Sequence, residues 1–150
     1  MSTRKQLRAQ DYPDVFVRGK RLKVFTKRTE LTSAQVLALN TTPISLVADP
    51  GAGYGIVVHR ITGAVDYNSA AYATNTTVEF RYTDGSGTKV TADMAALITA
   101  TADKVVTVGG IEAALVVTAN AAIVAVAATG NPATGNSPVA FDVEYTIVEI

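Results

Sequence analysis

Cysteine is absent from this 150-residue chain, and histidine occurs once, as His59. Without thiols there is no disulfide, no thiolate metal site and no thiol nucleophile. A disulfide-built secreted scaffold is thereby excluded, and assembly in a reducing cytoplasm is compatible with the composition. A lone histidine lacks the partners that a hydrolytic triad or a histidine-ligated metal would need, so it reads as a core-edge or surface residue. Long apolar runs are missing too: nowhere do about 18 apolar residues follow one another. The charged start Met1-Ser2-Thr3-Arg4-Lys5 has no apolar stretch behind it. Neither a membrane span nor an export signal is expected.

A chain of this length fits one domain, and a globule of that size buries roughly 70% of the surface its unfolded chain exposes. The most apolar region, Ala113 to Ala128, is interrupted by Thr118 and Asn120 and rich in Val and Ala, so it reads as buried strands. Net charge is zero, but the two signs lie apart. Residues 1–30 hold nine cations against Asp11, Asp14 and Glu30, a net of +6, and the other 120 residues hold four cations against ten carboxylates, a net of −6. A cationic arm preceding an acidic body suggests an arm that meets an anionic surface.

Residues 1–30 contain alternating pieces at Val15-Phe16-Val17 and Leu22-Lys23-Val24-Phe25 but few core formers, and read as an extended arm ending in an edge strand. Residues 31–150 read as the folded domain. Thr32 to Leu39 offers hydroxyl caps followed by helix formers, which predicts a short helix over 33–39. Ile44 to Val47 predicts a strand, and Asp49-Pro50-Gly51-Ala52-Gly53 a turn. Gly55 to Tyr67 predicts a long bent strand with a bulge at Gly63. Val78, Phe80 and Tyr82 alternate with Glu79 and Arg81, and Asp84-Gly85-Ser86-Gly87 turns this strand into Thr88-Lys89-Val90 as a hairpin. Met94, Leu97 and Ile98 have i, i+3, i+4 spacing and predict a second short helix over 92–98. Val105 to Val108, Leu115 to Thr118 and Ile123 to Ala127 predict strands. In the last one, Val139 to Ile147, odd positions face inward, Asp142, Glu144 and Thr146 face water, and 123–127 is the expected partner. Together these give an all-β fold: an antiparallel β-sandwich of jelly-roll type with two short helices and an extended N-terminal arm.

Chemistry-bearing patterns are weak. Gly51-Ala52-Gly53-Tyr54-Gly55 has no following Lys-Ser/Thr pair and precedes a strand, so it is a turn and no phosphate loop. Asp84 to Thr88 spaces oxygens like a calcium loop, but Lys89 stands where glycine is needed and Ala95 where the bidentate glutamate belongs. Asp142 and Glu144 share a face and read as a solvated stripe instead of an acid/base pair. Tyr54, Tyr67, Tyr72, Tyr82 and Tyr145 are not interleaved with basic residues, which favours packing over base stacking. Asn40-Thr41-Thr42 and Asn75-Thr76-Thr77 echo each other without a surrounding repeat; their Asn residues read as turn formers. No catalytic residue, cofactor or metal site is expected, and the chain reads as no enzyme.

Three stretches carry a family likeness. They are Leu37 to Val47 followed by Asp49-Pro50-Gly51-Ala52-Gly53; Val65-Asp66-Tyr67 through Ala71 to Thr77 into Val78 to Tyr82; and a closing hairpin from Val116 to Asn120 and Gly135 to Pro138 into Val143-Glu144-Tyr145. Over residues 31–150 the chain resembles the head decoration or cement proteins of tailed bacteriophages. The resemblance implies a β-sandwich in the virion, on the phage head surface after assembly in the host cytoplasm, that binds the assembled major capsid protein and reinforces the shell. Self-association, as a homotrimer, is implied with it; no membrane partner is, and nucleic acid is not expected.

On that reading the arm docks on the capsid through Arg4, Lys5, Arg8, Arg18, Lys20, Arg21 and Lys23, with Val15, Phe16 and Val17 adding apolar contacts. Extended arms suit this task because they cover area without a core of their own. A tail or fibre component with a receptor-binding role is one alternative. The jelly-roll coat protein itself, its arm on the packaged genome, is another, though cations interspersed with Asp11 and Asp14 are sparse for phosphate binding.

Overall fold

The computed structural model describes residues 23–111 and 116–150. Along the chain run β1 (Phe25–Leu31), α1 (Ser33–Leu37), β2 (Ile44–Val47), β3 (Tyr54–Val65), β4 (Tyr72–Ala73), β5 (Val78–Tyr82), β6 (Lys104–Gly109), β7 (Ile123–Ala127), β8 (Ala133–Thr134) and β9 (Val139–Glu149). The strands form a four-stranded sheet in the order β1-β9-β3-β6, a three-stranded sheet β2-β7-β5 and the small pair β4-β8. Every pairing is antiparallel.

Period-two alternation places one face of each larger sheet in a shared interior. Ile56, Val58, Ile61, Phe141 and Val143 of the four-stranded sheet join Leu46, Val78, Phe80, Tyr82 and Ile123 of the three-stranded sheet in one buried cluster. Each large side chain so buried contributes about 1.5–3 kcal/mol. All five residues of β7 are buried, because this central strand has neighbours on both edges and cover on both faces; alternation is lost there for that reason. At α1, Thr32 closes a capping box: its Oγ1 accepts from Gln35 N–H at 3.3 Å while Gln35 Oε1 accepts from Thr32 N–H at 2.9 Å. The helix stops at Leu37, two residues short of the expected end.

Several expectations are corrected. Residues 92–98 form no helix. Met94 instead exchanges two backbone hydrogen bonds with Val78, at 2.9 and 2.8 Å, extending the edge of β5. Met94, Leu97 and Ile98 are buried all the same, so their spacing records burial and not a helical backbone. β9 does not pair with β7: it lies between β1 and β3, and the 128–138 connection crosses from one sheet to the other. The bulge in β3 falls at His59, between the pairs Val58↔Tyr145 and Arg60↔Glu144, not at Gly63. Gly63 serves close packing: a Cβ there would lie 2.5 Å from Leu97 Cδ2 and 2.8 Å from Met94 Sδ. The strand expected at 115–118 has residue 115 outside the described residues, and 116–118 are not strand; only Ala119 bridges to Gly55. Thr146, placed on the wet face by its alternation, is 1% exposed.

Candidate functional site

The cationic segment joins the fold at β1, an outermost strand of the four-stranded sheet. At this junction Lys23 Nζ sits 5.0 Å from the centroid of the Phe25 ring, a cation–π distance, and Phe25 packs on Tyr145 with centroids 5.5 Å apart. Of the expected docking residues, only Lys23 is among those described. Arg4, Lys5, Arg8, Val15, Phe16, Val17, Arg18, Lys20 and Arg21 lie outside the described residues.

Beyond that junction the outer face of the sheet is laid out in cross-strand rows fixed by the register. Thr26, Glu144 and Arg60 form one row, Arg28, Asp142, Thr62 and Thr107 the next, and Glu30, Ala140, Ala64 and Val105 the third. Two ion pairs tie neighbouring strands: Arg28 Nη1 to Asp142 Oδ2 and Arg60 Nε to Glu144 Oε2, each at 2.9 Å. Such half-exposed pairs contribute little, about 0–1 kcal/mol each. In the third row the small side chains of Ala64 and Ala140 leave a shallow depression of about 450 Å³, rimmed by Arg28 and Glu30 on one side and by Asp66, Asp103, Lys104 and Val105 on the other.

Most positions that sequence reasoning weighed for catalysis, phosphate, calcium or base stacking are engaged structurally. Asp142 and Glu144 are each held by an arginine. His59 Nε2 lies 2.6 Å from Thr146 Oγ1, but that hydroxyl is buried and cannot meet a substrate. Gly51 and Gly53 have φ of +96° and +82°, the left-handed values a turn needs. Asp84 Oδ1 accepts from Ser86 N–H at 2.7 Å, so the carboxylate closes its own turn. Tyr72 and Tyr82 donate to the carbonyls of Ser137 and Ile56; burial pushes both phenols up to about 12. Among the described residues no group of three or more His, Cys, Asp or Glu is placed to hold a metal ion.

No family model and no curated protein matches this chain. Among solved structures it is similar to a chain of the capsid of Ralstonia phage GP4, with a TM-score of 0.45 and 19% identity over 88% of this chain and 89% of that one. A chain of the cyanophage Pam1 capsid asymmetric unit is similar at a TM-score of 0.45 and 18% identity, over 87% and 88% of the two chains.

Two polar clusters escaped sequence reasoning. On the outer side of β5, Glu79 is 8% exposed. Its carboxylate takes Lys89 Nζ at 2.6 Å and Arg81 Nη2 at 2.6 Å, while Lys89 also reaches Asp93 at 2.8 Å. Burial alone would push the Glu79 carboxyl up, but the hydrogen bonds from Lys89 and Arg81 outweigh it and hold the group below its usual range. The signal in the sequence is the spacing of Glu79 and Arg81, two apart and so on one face of the strand; the bridge Arg81↔Lys89 adds the third member. The second cluster is centred on Asn131, whose Oδ1 accepts from Asn40 N–H at 2.9 Å and Thr41 N–H at 3.1 Å, and whose carbonyl accepts from Asn75 Nδ2 at 3.0 Å. The two Asn-Thr-Thr echoes therefore converge on one loop.

Proposed function

We propose that this chain is a non-catalytic virion structural protein of a tailed phage, a jelly-roll-type decoration or cement protein that binds assembled major capsid protein and stabilises the head, acting as a homotrimer. The observation that carries this reading is the separation of charge along the chain, +6 in residues 1–30 against −6 in the remainder, with the cationic part entering at the edge strand β1. A body that holds its own core, with Lys27 and Arg28 already in β1, and an arm that holds the other seven cations divide stability from attachment. The sequence resemblance over residues 31–150 supports the same reading.

In this scheme Arg4, Lys5, Arg8, Arg18, Lys20, Arg21 and Lys23 make electrostatic contacts to acidic surface in the shell, and Val15, Phe16 and Val17 add apolar ones. The test is a particle-binding titration of full-length protein and protein lacking residues 1–20, each with a thermal melt. Truncation is expected to weaken attachment while the melting temperature stays nearly unchanged. Undiminished affinity of the truncated protein for capsids would overturn the docking role.

A further inference from the structure

We propose that the open edge of β6 takes up Val15–Val17 from the arm of a neighbouring copy as an added antiparallel strand, so that copies are joined by exchanged arms. This rests on the docking-arm reading and narrows it: Val15–Val17, with Arg18 and Lys20 after them, bind a neighbouring copy in place of the shell, and Arg4, Lys5 and Arg8 remain for the shell. β6 is the outermost strand of its sheet on the side opposite β1. Among the described residues only its far end is covered, where Ala92 N–H donates to Gly109 O at 3.2 Å and Thr91 bridges Gly110. Along Lys104–Val108 no further strand lies beside it among the described residues. Proteins usually blunt such edges with proline, several charges or a bulge. Here the run is Val105-Val106-Thr107-Val108 with a single lysine at its start, its register with β3 is unbroken, and Val105 is 66% exposed.

The arm supplies a matching strand. Val15-Phe16-Val17 consists of strong strand formers, and Arg18, Lys20 and Arg21 follow it. Added antiparallel to β6, this segment places Val15 and Val17 beside Val106 and Val108 on the inner side and Phe16 outside, beside Val105 and Thr107. The same direction carries Arg18 and Lys20 to the Lys104 end, where Asp66 and Asp103 rim the depression. The opposite direction would bring the cations to the Gly109 end and away from both carboxylates. Main-chain hydrogen bonds would supply affinity and the alternating side chains register, as in strand addition generally.

Reach decides which copy the arm comes from. Asp103 precedes β6 at the end of the sheet where Leu31 pairs with Val139, whereas Phe25 lies at the other end. Reaching a strand added outside β6 crosses four strand spacings and the length of β1, about 19 Å by about 20 Å, or about 28 Å in a straight line. The seven residues from Arg18 to Phe25 span at most about 25 Å when fully extended. An arm returning to its own β6 would have no slack to climb over Arg28, Asp142 and Thr62, so the arm belongs to a second copy. Edge and arm are different surfaces, so each arm–edge contact is heterologous, and the assembly closes when the last arm returns to the first edge.

The chain has no cysteine, which makes thiol cross-linking clean. Full-length Phe16→Cys and Val105→Cys proteins, mixed and oxidised, are expected to give a disulfide-linked product containing one of each, absent from either alone; no mixed product, or cross-linking only within a chain carrying both substitutions, would overturn the proposal. Val105→Lys provides a second measurement, because an exposed lysine there leaves the fold intact while charging the edge. Its mass in solution is expected to fall to that of a monomer with an unchanged melting temperature, and an unchanged oligomer mass would overturn the proposal. Mixed cross-links in protein that does not bind capsids would sink the capsid reading and sustain arm exchange, so the two failures are separable.

Discussion

Phe80 on β5 meets Phe141 on β9 edge to face across the interior, with ring centroids 5.3 Å apart and ring planes at 78°. Both rings are essentially unexposed, and the pair joins the two larger sheets at their centre. Phe80→Asp and Phe141→Asp are each expected to unfold the domain, since an unpaired carboxylate has no partner there. Phe80→Ala is expected to cost about 3–5 kcal/mol. A denaturant titration reads both, and a double-mutant cycle should give a coupling of about 0.5–1.5 kcal/mol for the ring contact. Soluble, native-like Phe80→Asp protein would show the inward register of β5 to be wrong.

The carboxyl of Glu79 is held below its ordinary value of 4.5 by Lys89 and Arg81. A depressed folded-state value means that the contribution to stability is present above the unfolded value and lost as pH falls through the folded one. Urea melts taken from neutral pH downward should therefore lose stability below about pH 4.5. Glu79→Gln should cost about 2 kcal/mol at neutral pH and flatten that acid limb. An acid limb identical to that of the native protein would remove Glu79 from the account.

At the alkaline end the sign reverses. Tyr72 and Tyr82 are raised from 10.0 to about 12, so their contribution is intact below pH 10 and lost as pH climbs toward 12. Tyrosinate absorbance from these two rings should appear together with unfolding. Tyr82→Phe and Tyr72→Phe should each remove one such step at a cost of about 1 kcal/mol, and absorbance rising well before the melt would contradict the burial of the two hydroxyls.

Asn131→Ala removes the acceptor shared by the Asn40 and Thr41 N–H groups. The expected loss is about 1–2 kcal/mol, because water replaces part of what is removed. Hydrogen exchange is the sharper readout: amides 40 and 41 should lose protection while those of β3 and β9 keep theirs. Uniform loss across the sheet would mean that Asn131 supports the whole fold and not one loop.

Salt should separate the two kinds of arm contact. Exposed charge pairs are screened beyond roughly 8 Å at physiological ionic strength, so capsid attachment through Arg4, Lys5 and Arg8 should weaken as salt rises. Association of copies through Val15, Phe16 and Val17 should persist. Particle binding and solution mass measured over one salt series check both, and parallel loss of the two would show the apolar segment to be dispensable.

Strand positions were legible where alternation or β-branched density is local. Ile44–Val47, Val78–Tyr82 and Ile123–Ala127 are strands over those bounds. Strand partners were not legible. The pattern in Val139 to Val143 tells which side faces inward, but nothing in it says that the neighbours are β1 and β3 instead of β7. Met94, Leu97 and Ile98 misled for a related reason, since three buried positions suit a helix or a bridge followed by a turn. The Asn-Thr-Thr recurrence was visible, yet its meaning needed Asn131, 91 positions from Asn40 and 56 from Asn75. Of the arm's expected contact residues, only Lys23 falls among the described residues.

The antiparallel pairing of β1 with β9, running from Phe25↔Tyr145 to Leu31↔Val139, also governs how the protein bears mechanical load. Tension delivered through the arm enters at Phe25. If the pull runs along the strand axis, the whole seven-residue ladder resists at once in shear. If it runs sideways, the pairs open one after another from Phe25, as in a zipper. Were the arm anchored as proposed, the angle at which it leaves Phe25 would set the force the fold withstands before β1 peels away, greatest where the arm lies in line with that strand.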